Sequence, residues 1–523
     1  MKTQLMQDQL TTFVNDAKKA FSQRNEAFVV SALSLVAVLM RLRNLNSPVS
    51  GSYTFRNTQT AWGIRSVANG TISPFSVETP VLGAPWKVPF EFPLYQMISG
   101  FLSRLAGLSV EASGRLVSLV FFLLTALIFY RISRFFFQKT ICYIGLAFLL
   151  FSAHNLEYGS SVLVENCALF FALAAFLAGL KFVQSKRPAF IYLFGVCSVF
   201  ASLVKITTSV IWVLLGALAI AFLFKIDKRT TLKLLGVGFL GHIPAVVWTR
   251  WADQQKSKSV MTDWLTSQNL QSWNFGTLRQ RIFYFEWDES LTQGFIPSVA
   301  GLTSIAIGLI AISIAFHKNR KLPLVFLCMF LSGPIVFTNL YFVHSYYWTA
   351  VLPAFVLLLV SGLDALLQQG ERFGESIFNR TKLFTWIISV GLIVASWFSV
   401  SGLRHFEVFT KPGSETWNGE QVGIAVQSIR QYTSQNDQIV IVGMDWNPQI
   451  LYFSDRKGLM IPYDWDVLEI FNKLDVSNEY QFLYWFDENQ VNLNSIKSMF
   501  EGYLFERISG NLFKFSKLDV NSQ

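Results

Sequence analysis

Eleven stretches of this chain, near 27–43, 114–133, 139–156, 162–182, 188–204, 207–224, 232–249, 296–316, 321–338, 348–367 and 382–401, are apolar over a length that spans a bilayer. A soluble core has no use for so many continuous runs, because a helix at its surface needs a polar face. The composition agrees: 52% of residues are hydrophobic and 15% charged, against about 25% charged in an ordinary soluble domain. Disorder needs the opposite balance. The four cysteines, Cys142, Cys167, Cys197 and Cys328, all fall in apolar runs and read as small core hydrophobes, not as a disulfide framework. The chain reads as a polytopic α-helical membrane protein with about eleven transmembrane helices.

The net charge of +10 is informative through its placement. Arg131, Arg134 and Lys139 follow the second span; Lys181, Lys186 and Arg187 the fourth; Lys225, Lys228, Arg229 and Lys233 the sixth; Lys318, Arg320 and Lys321 the eighth; Arg372, Arg380 and Lys382 the tenth. Every second loop is basic, which by the positive-inside rule puts the N-terminus in the cytoplasm. Loops 44–113 and 250–295 and the region 402–523 are then extracytoplasmic. The same placement makes the charge a topology signal, with no nucleic acid implied. Residues 1–26 read as a cytoplasmic lead with no signal-peptide cleavage pattern. Arg41 and Arg43, at the outer end of the first span, run against the pattern and are candidates to face an anionic ligand. Residues 92–108 are apolar but interrupted by Arg104 and read as a helix lying on the membrane surface. Past residue 401 the pattern changes. An amphipathic helix over 422–436, a buried strand over 438–443 and further strands over 480–486 and 503–514 predict a soluble α/β domain, 402–523, beside the membrane domain 1–401.

Unusual polar residues collect on the outer side. On a helix, Arg56 and Gln59 share a face, with Gly63 below and Arg65 on another side. A guanidinium suits a phosphate because its planar fork donates two hydrogen bonds at once; anchoring to lipid headgroups is the competing reading. Glu91, in Phe-Glu-Phe-Pro, is a carboxylate in apolar surroundings. It is either paired with a cation, poised as a base, or set against the dipole of the next helix. Glu165 and Lys205 lie at outer span ends, where a charge is a functional candidate or half of a structural pair. His344 among Tyr346 and Tyr347 suits a phosphate or sugar, although an aromatic belt accounts for the tyrosines. Trp446, Tyr452 and Asp455 to Gly458 lie in a turn that either touches an acceptor or is simply solvated. No Walker, dinucleotide or G-x-S-x-G motif is present. The other histidines, His154, His242, His317 and His405, lack metal-ligand spacing. Glu91, Glu165 and Glu286 meet around a divalent cation only if loops fold together, so a cation is left open.

The order of these elements resembles the GT-C glycosyltransferases, in particular the protein mannosyltransferase and aminoarabinose transferase type. The resemblance rests on one span followed by a loop opening with Arg56-Asn57-Thr58-Gln59-Thr60-Ala61, on Glu91-Phe92-Pro93-Leu94-Tyr95, and on Gly114-Arg115-Leu116. It continues with the acid Glu165, Leu203-Val204-Lys205, His344 to Tyr347 and an outer C-terminal domain. It implies a membrane enzyme of a bacterial inner membrane. Such an enzyme moves a sugar from a polyprenyl-phosphate donor to a lipid, glycan or protein acceptor. Arg56 and Lys205, with Arg65 weaker, would hold the phosphate, an acidic residue would activate the acceptor, and Gln59, Glu165, His344, Tyr346 and Tyr347 would line the site. One departure stands out: the family's first loop opens with an acid near Thr54 to Gln59, whereas residues 27–77 contain none. Either Glu91 has taken over the base role or the chain binds without catalysis. A lipid or sugar transporter is the third class; it needs polar mid-span residues and interrupted helices, and the spans here read as smooth.

Overall fold

The apolar runs fold as helices, since hydrocarbon offers backbone N–H and C=O groups no partner but each other. The computed structural model describes residues 25–49, 53–283, 287–400, 402–403, 420–474, 476–487 and 491–518. The lead over 1–24, Glu286 and His405 lie outside these. Among the described residues, seven helices are long and apolar enough to cross a membrane: α1 (Asn25–Leu42), α4 (Val110–Ser133), Glu165–Ser185, Pro188–Phe224, Lys228–Lys256, Leu352–Arg372 and Glu375–Ser396. Between α1 and α4 lie two helices of the long loop, α2 (Thr54–Ala68) and α3 (Leu94–Ala106). Two shorter apolar helices, Lys139–Phe151 and Lys321–Val336, complete the set together with a bent pair, Asp288–Ala300 and Thr303–Phe316.

Pro188–Phe224 is two spans, not one. Lys205 has extended angles, φ −160° and ψ 98°, inside the helical run. A Cβ on Gly179 would touch both Phe194 and Ile220, so residues on either side of Lys205 lie at the same depth. The chain therefore reverses at Lys205, which sits at the tip of a helical hairpin. With the hairpin counted as two and the bent pair as one, the helices correspond one for one to the eleven sequence stretches. The bent pair departs from the smooth span expected there. It turns by 85° at Gly301, where φ is +69° and a Cβ would fall 2.3 Å from Ala395 Cβ, so only glycine fits.

Leu352–Arg372 runs through the middle of the bundle, with 83% of its apolar window buried, against 17% for α1 at the periphery. Arg41 does not face a ligand. Its guanidinium is buried and donates to the carbonyls of Ala37, Leu150 and Asn155 at 2.8–2.9 Å, stapling α1 to the bundle. Cys142, Cys167 and Cys197 are buried as expected; Cys328 is exposed on the bundle surface.

The C-terminal region is a five-stranded sheet of order β2-β1-β3-β5-β4. β1 (Ile439–Val442), β2 (Gly458–Ile461) and β3 (Phe482–Trp485) are parallel, and β4 (Tyr503–Ser509) and β5 (Leu512–Lys517) form an antiparallel hairpin. Its first helix is Glu420–Tyr432. β2 was not foreseen, because it begins within the turn-like Asp455 to Gly458. The exposed edge of β2, which would otherwise be a liability, is covered by the long loop between α2 and α3. Gly458 N donates to Pro80 O, Met460 N to Val81 O, and Gly83 N to Gly458 O. Ion pairs Arg65–Asp455 and Lys457–Glu78, each 2.8 Å, and the Tyr452 hydroxyl donating to Glu111 at 2.7 Å close the seam. The turn expected to be solvated or acceptor-facing is thus an interdomain clamp.

Candidate functional site

Three local contacts bring distant segments to one place. The Tyr53 hydroxyl, at the start of α2, accepts from Ser345 N at 2.8 Å and donates to Val343 O at 3.2 Å, pinning α2 to the His344 segment. Phe92 N donates to Leu203 O at 3.1 Å, tying the turn that carries Glu91 to the tip of the Lys205 hairpin. Lys205 in turn reaches the first residue of helix Glu165–Ser185.

Two partly buried ion pairs result. Arg56 Nη2 donates to Glu91 Oε2 at 2.7 Å. Its Nη1 donates to Gln59, and Gln96 Nε2 donates to the other Glu91 oxygen at 3.1 Å. Gln59 does share a face with Arg56, as its spacing predicts, and Gly63 lies below with a Cβ position 2.9 Å from Gln96 Cγ. In the second pair Lys205 Nζ donates to Glu165 Oε1 at 2.5 Å. The ammonium also lies 3.7 Å from the ring centre of Tyr347 and 5.1 Å from that of Tyr346, where the ring faces attract a cation. The Glu165 side chain is only 4% exposed, and its Oε2 has no hydrogen-bond partner among the described residues. His344 stacks on Tyr346 with ring centres 5.2 Å apart, and its Nδ1 likewise has no partner among them.

The electrostatics show that the pairs belong to one site. Burial works against the charge on Arg56, but the carboxylates Glu91 and Glu165 outweigh it and hold the guanidinium above its ordinary pKa. Burial pushes the Glu91 carboxyl up, yet Arg56 and hydrogen bonds to the carboxylate hold it below the ordinary value. Burial, then the positive charges of Lys205 and Arg56, push His344 down to about 4. Near neutral pH the site therefore holds a charged Arg56 guanidinium, an ionised Glu91 and a neutral His344 imidazole. A cavity beside Arg56 and Glu91 is bounded by Gln59, Lys87, Trp248 and Trp251.

Of the residues singled out from sequence, Arg56, Gln59, Glu91, Glu165, Lys205, His344, Tyr346 and Tyr347 come together. Arg65 does not. It donates to Tyr452 O at 3.0 Å and to Asp455, and its guanidinium lies 3.9 Å from the Tyr452 ring centre. Tyr452 is buried in the same seam, away from the site. Trp446 does reach it, packing on Phe55 and Phe90, the neighbours of Arg56 and Glu91, at ring-centre distances of 4.7 and 5.6 Å. Tyr53, Gln96 and Trp248 were not singled out: each is an ordinary residue in its local sequence, and only tertiary contacts give it a role. No three His, Cys, Asp or Glu side chains come together as a metal site among the described residues.

The family profile described as dolichyl-phosphate-mannose-protein mannosyltransferase matches residues 87–248, the stretch that carries Glu91, Glu165 and Lys205. No curated protein sequence matches the chain. Solved structures match its fold. ArnT from Cupriavidus metallidurans bound to undecaprenyl phosphate is similar at a TM-score of 0.59 and 10% identity, over 95% of this chain and 98% of that one. The archaeal oligosaccharyltransferase AglB from Archaeoglobus fulgidus, in complex with an inhibitory peptide and a dolichol-phosphate, is similar at 0.57 and 11% identity, over 96% of this chain and 75% of that one. The arabinofuranosyltransferase AftD from Mycobacteria gives 0.53 and 12% identity, over 94% and 40%.

Proposed function

We propose that this chain, a multi-pass membrane protein with the GT-C glycosyltransferase fold, transfers a sugar from a polyprenyl-phosphate donor to an acceptor on the extracytoplasmic face of a bacterial inner membrane. The observation that carries the proposal is the convergence of two cations, Arg56 and Lys205, each held by a carboxylate, at one end of the helical bundle. The alternating basic loops support a cytoplasmic N-terminus, which sets that end of the bundle outside. The polyprenyl phosphates bound by ArnT and AglB support the class of donor.

The chemistry follows from charge. A sugar on a polyprenyl phosphate is a phosphodiester with one negative charge. The acceptor hydroxyl or amine gives its proton to a carboxylate and attacks the anomeric carbon. The bond from that carbon to the phosphate oxygen breaks, and the polyprenyl phosphate leaves carrying a second negative charge. Arg56 and Lys205 stabilise the charge that grows on it. Attack from the face opposite the phosphate inverts the anomeric centre. Glu91 serves as base: as the phosphate draws Arg56 away, the field holding its pKa down weakens and its basicity rises. His344, neutral and half-buried, and the tyrosines line the sugar side.

A second reading exchanges the acids. Both Glu91 oxygens are already engaged, by Arg56 and Gln96, whereas Glu165 has one oxygen free of partners among the described residues. In that reading Glu165 takes the proton and Glu91 positions Arg56. Purified Glu91→Gln and Glu165→Gln enzymes, given a polyprenyl-phosphate sugar and a membrane-extract acceptor pool, separate the two. Loss of the base lowers turnover about 10²–10⁴-fold with donor binding retained. Full activity in Glu91→Gln removes Glu91 from the mechanism, and full activity in both variants contradicts acid–base transfer at this site.

A further inference from the structure

At the opposite end of the bundle a bay opens between α1, α4 and helix Glu165–Ser185, closed on one side by Phe224. Each of the three helices contributes a charged residue at the rim and an apolar residue four positions away along the helix: Glu26 and Val30, Arg131 and Leu127, Lys181 and Leu177. Residues four apart lie on one face about a turn apart, so the bay has a polar lip and an apolar trough beneath it. Ala27 and Ser31 of α1 are too short to fill that trough.

The lip is cationic. Among the described residues its one lining carboxylate is Glu26, already shared by Lys139 Nζ at 2.8 Å, Arg134 Nε at 3.7 Å and the Tyr130 hydroxyl at 2.8 Å. Lys181 rests over the Phe135 ring, 5.0 Å from its centre. Neither Lys181 nor Arg131 has a carboxylate within ion-pair distance among the described residues.

We propose that this bay binds an anionic glycerophospholipid, its phosphate between Arg131 and Lys181 and an acyl chain along Val30, Leu127 and Leu177. A cationic lip one turn above hydrocarbon complements an amphiphile whose negative charge sits at headgroup depth. A zwitterionic lipid would bring its own ammonium to the same cations. The lipid would bridge α1, which is 17% buried within the protein, to the helices behind it. The site is remote from Arg56 and Lys205 and does not depend on the reaction assigned there.

Native mass spectrometry of the full-length, lipid-stripped protein tests this, with phosphatidylglycerol and phosphatidylcholine of identical chains as probes. Wild type should prefer phosphatidylglycerol, and Arg131→Gln/Lys181→Gln should lose roughly tenfold in phosphatidylglycerol affinity with phosphatidylcholine binding and thermal stability unchanged. Should the double variant fail to fold, Lys181→Gln alone and a salt titration of wild type serve instead, and the preference must fall as ionic strength rises. Equal binding of the two lipids by wild type, or an undiminished preference in the variants, overturns the proposal.

Discussion

Arg56 and Glu91 stand 35 residues apart in the sequence, yet Nη2 of one lies 2.7 Å from Oε2 of the other. The residue before each of them, Phe55 and Phe90, packs on the ring of Trp446, which belongs to the C-terminal domain. The pair is thus held from two sides: by its own charges, and by an aromatic wedge from the other domain. A site that must keep its groups within a fraction of an ångström of productive geometry needs such support.

Trp446→Ala should therefore lower kcat by roughly tenfold or more while donor affinity stays close to wild type, because the cations remain and only their setting loosens. Trp446→Phe, which keeps a ring against Phe55 and Phe90, should recover most of the loss. Steady-state kinetics of the two variants check this. Equal defects would mean that the ring has no positioning role.

Lys205 and Glu165 are 11% and 4% exposed in their side chains. Removing one partner of such a pair strands a buried charge, which costs about 3–5 kcal/mol, so Lys205→Ala should unfold at a markedly lower temperature. Replacing both by leucine removes the stranded charge and should recover most of that stability without recovering transfer. A thermal-shift and activity comparison of the single and double variants separates the structural from the functional role of Lys205. Activity in the stable double variant would remove Lys205 from the chemistry.

The pH dependence has a definite sign. His344 titrates near 6.5 unfolded and about 4 folded. Between those values the unfolded chain takes up a proton that the folded one refuses, so stability falls as pH drops through that window. Glu91 is held below its ordinary 4.5. Its stabilising contribution is present above that value and is lost as pH falls further, through the native pKa. His344→Phe should flatten the stability curve between pH 6.5 and 4 and leave the more acidic limb unchanged. Unfolding followed across pH checks it.

Arg65, stacked 3.9 Å above the Tyr452 ring and paired with Asp455, is assigned to the seam between domains. Arg65→Ala should raise amide hydrogen exchange in β2 and in residues 80–83, whose backbones bond across the seam. Polyprenyl-phosphate affinity should stay within about twofold of wild type, since no charge at the site is removed. A large loss of affinity would return Arg65 to the phosphate site.

What was legible in the sequence was what short-range physics writes there. The eleven apolar runs give the helices because each must satisfy its backbone internally. The spacing of Arg56 and Gln59 gives their shared face because a helix turns every 3.6 residues. Glu91, Glu165 and Lys205 stood out because charge beside hydrocarbon is costly. A Glu165–Lys205 pair was one of the two readings the sequence offered, and it forms; that Arg56 meets Glu91 was not legible, since that pair is closed by a loop whose path depends on contacts such as Phe92 to Leu203. The same limit hid β2, whose partner strands and covering loop lie elsewhere in the chain. It also hid the role of Arg41, which looked like a ligand residue and is a buried staple. The 85° break at Gly301 was missed because a single glycine in an apolar run carries no local mark of the close approach of Ala395.

The most direct test is a structure of the protein with a polyprenyl phosphate bound. The phosphate should lie within hydrogen-bond distance of both Arg56 and Lys205, with the 2.7 Å contact between Arg56 and Glu91 lengthened and the Glu91 carboxylate facing the acceptor side. A phosphate seated elsewhere, with both ion pairs left as they stand, would contradict it.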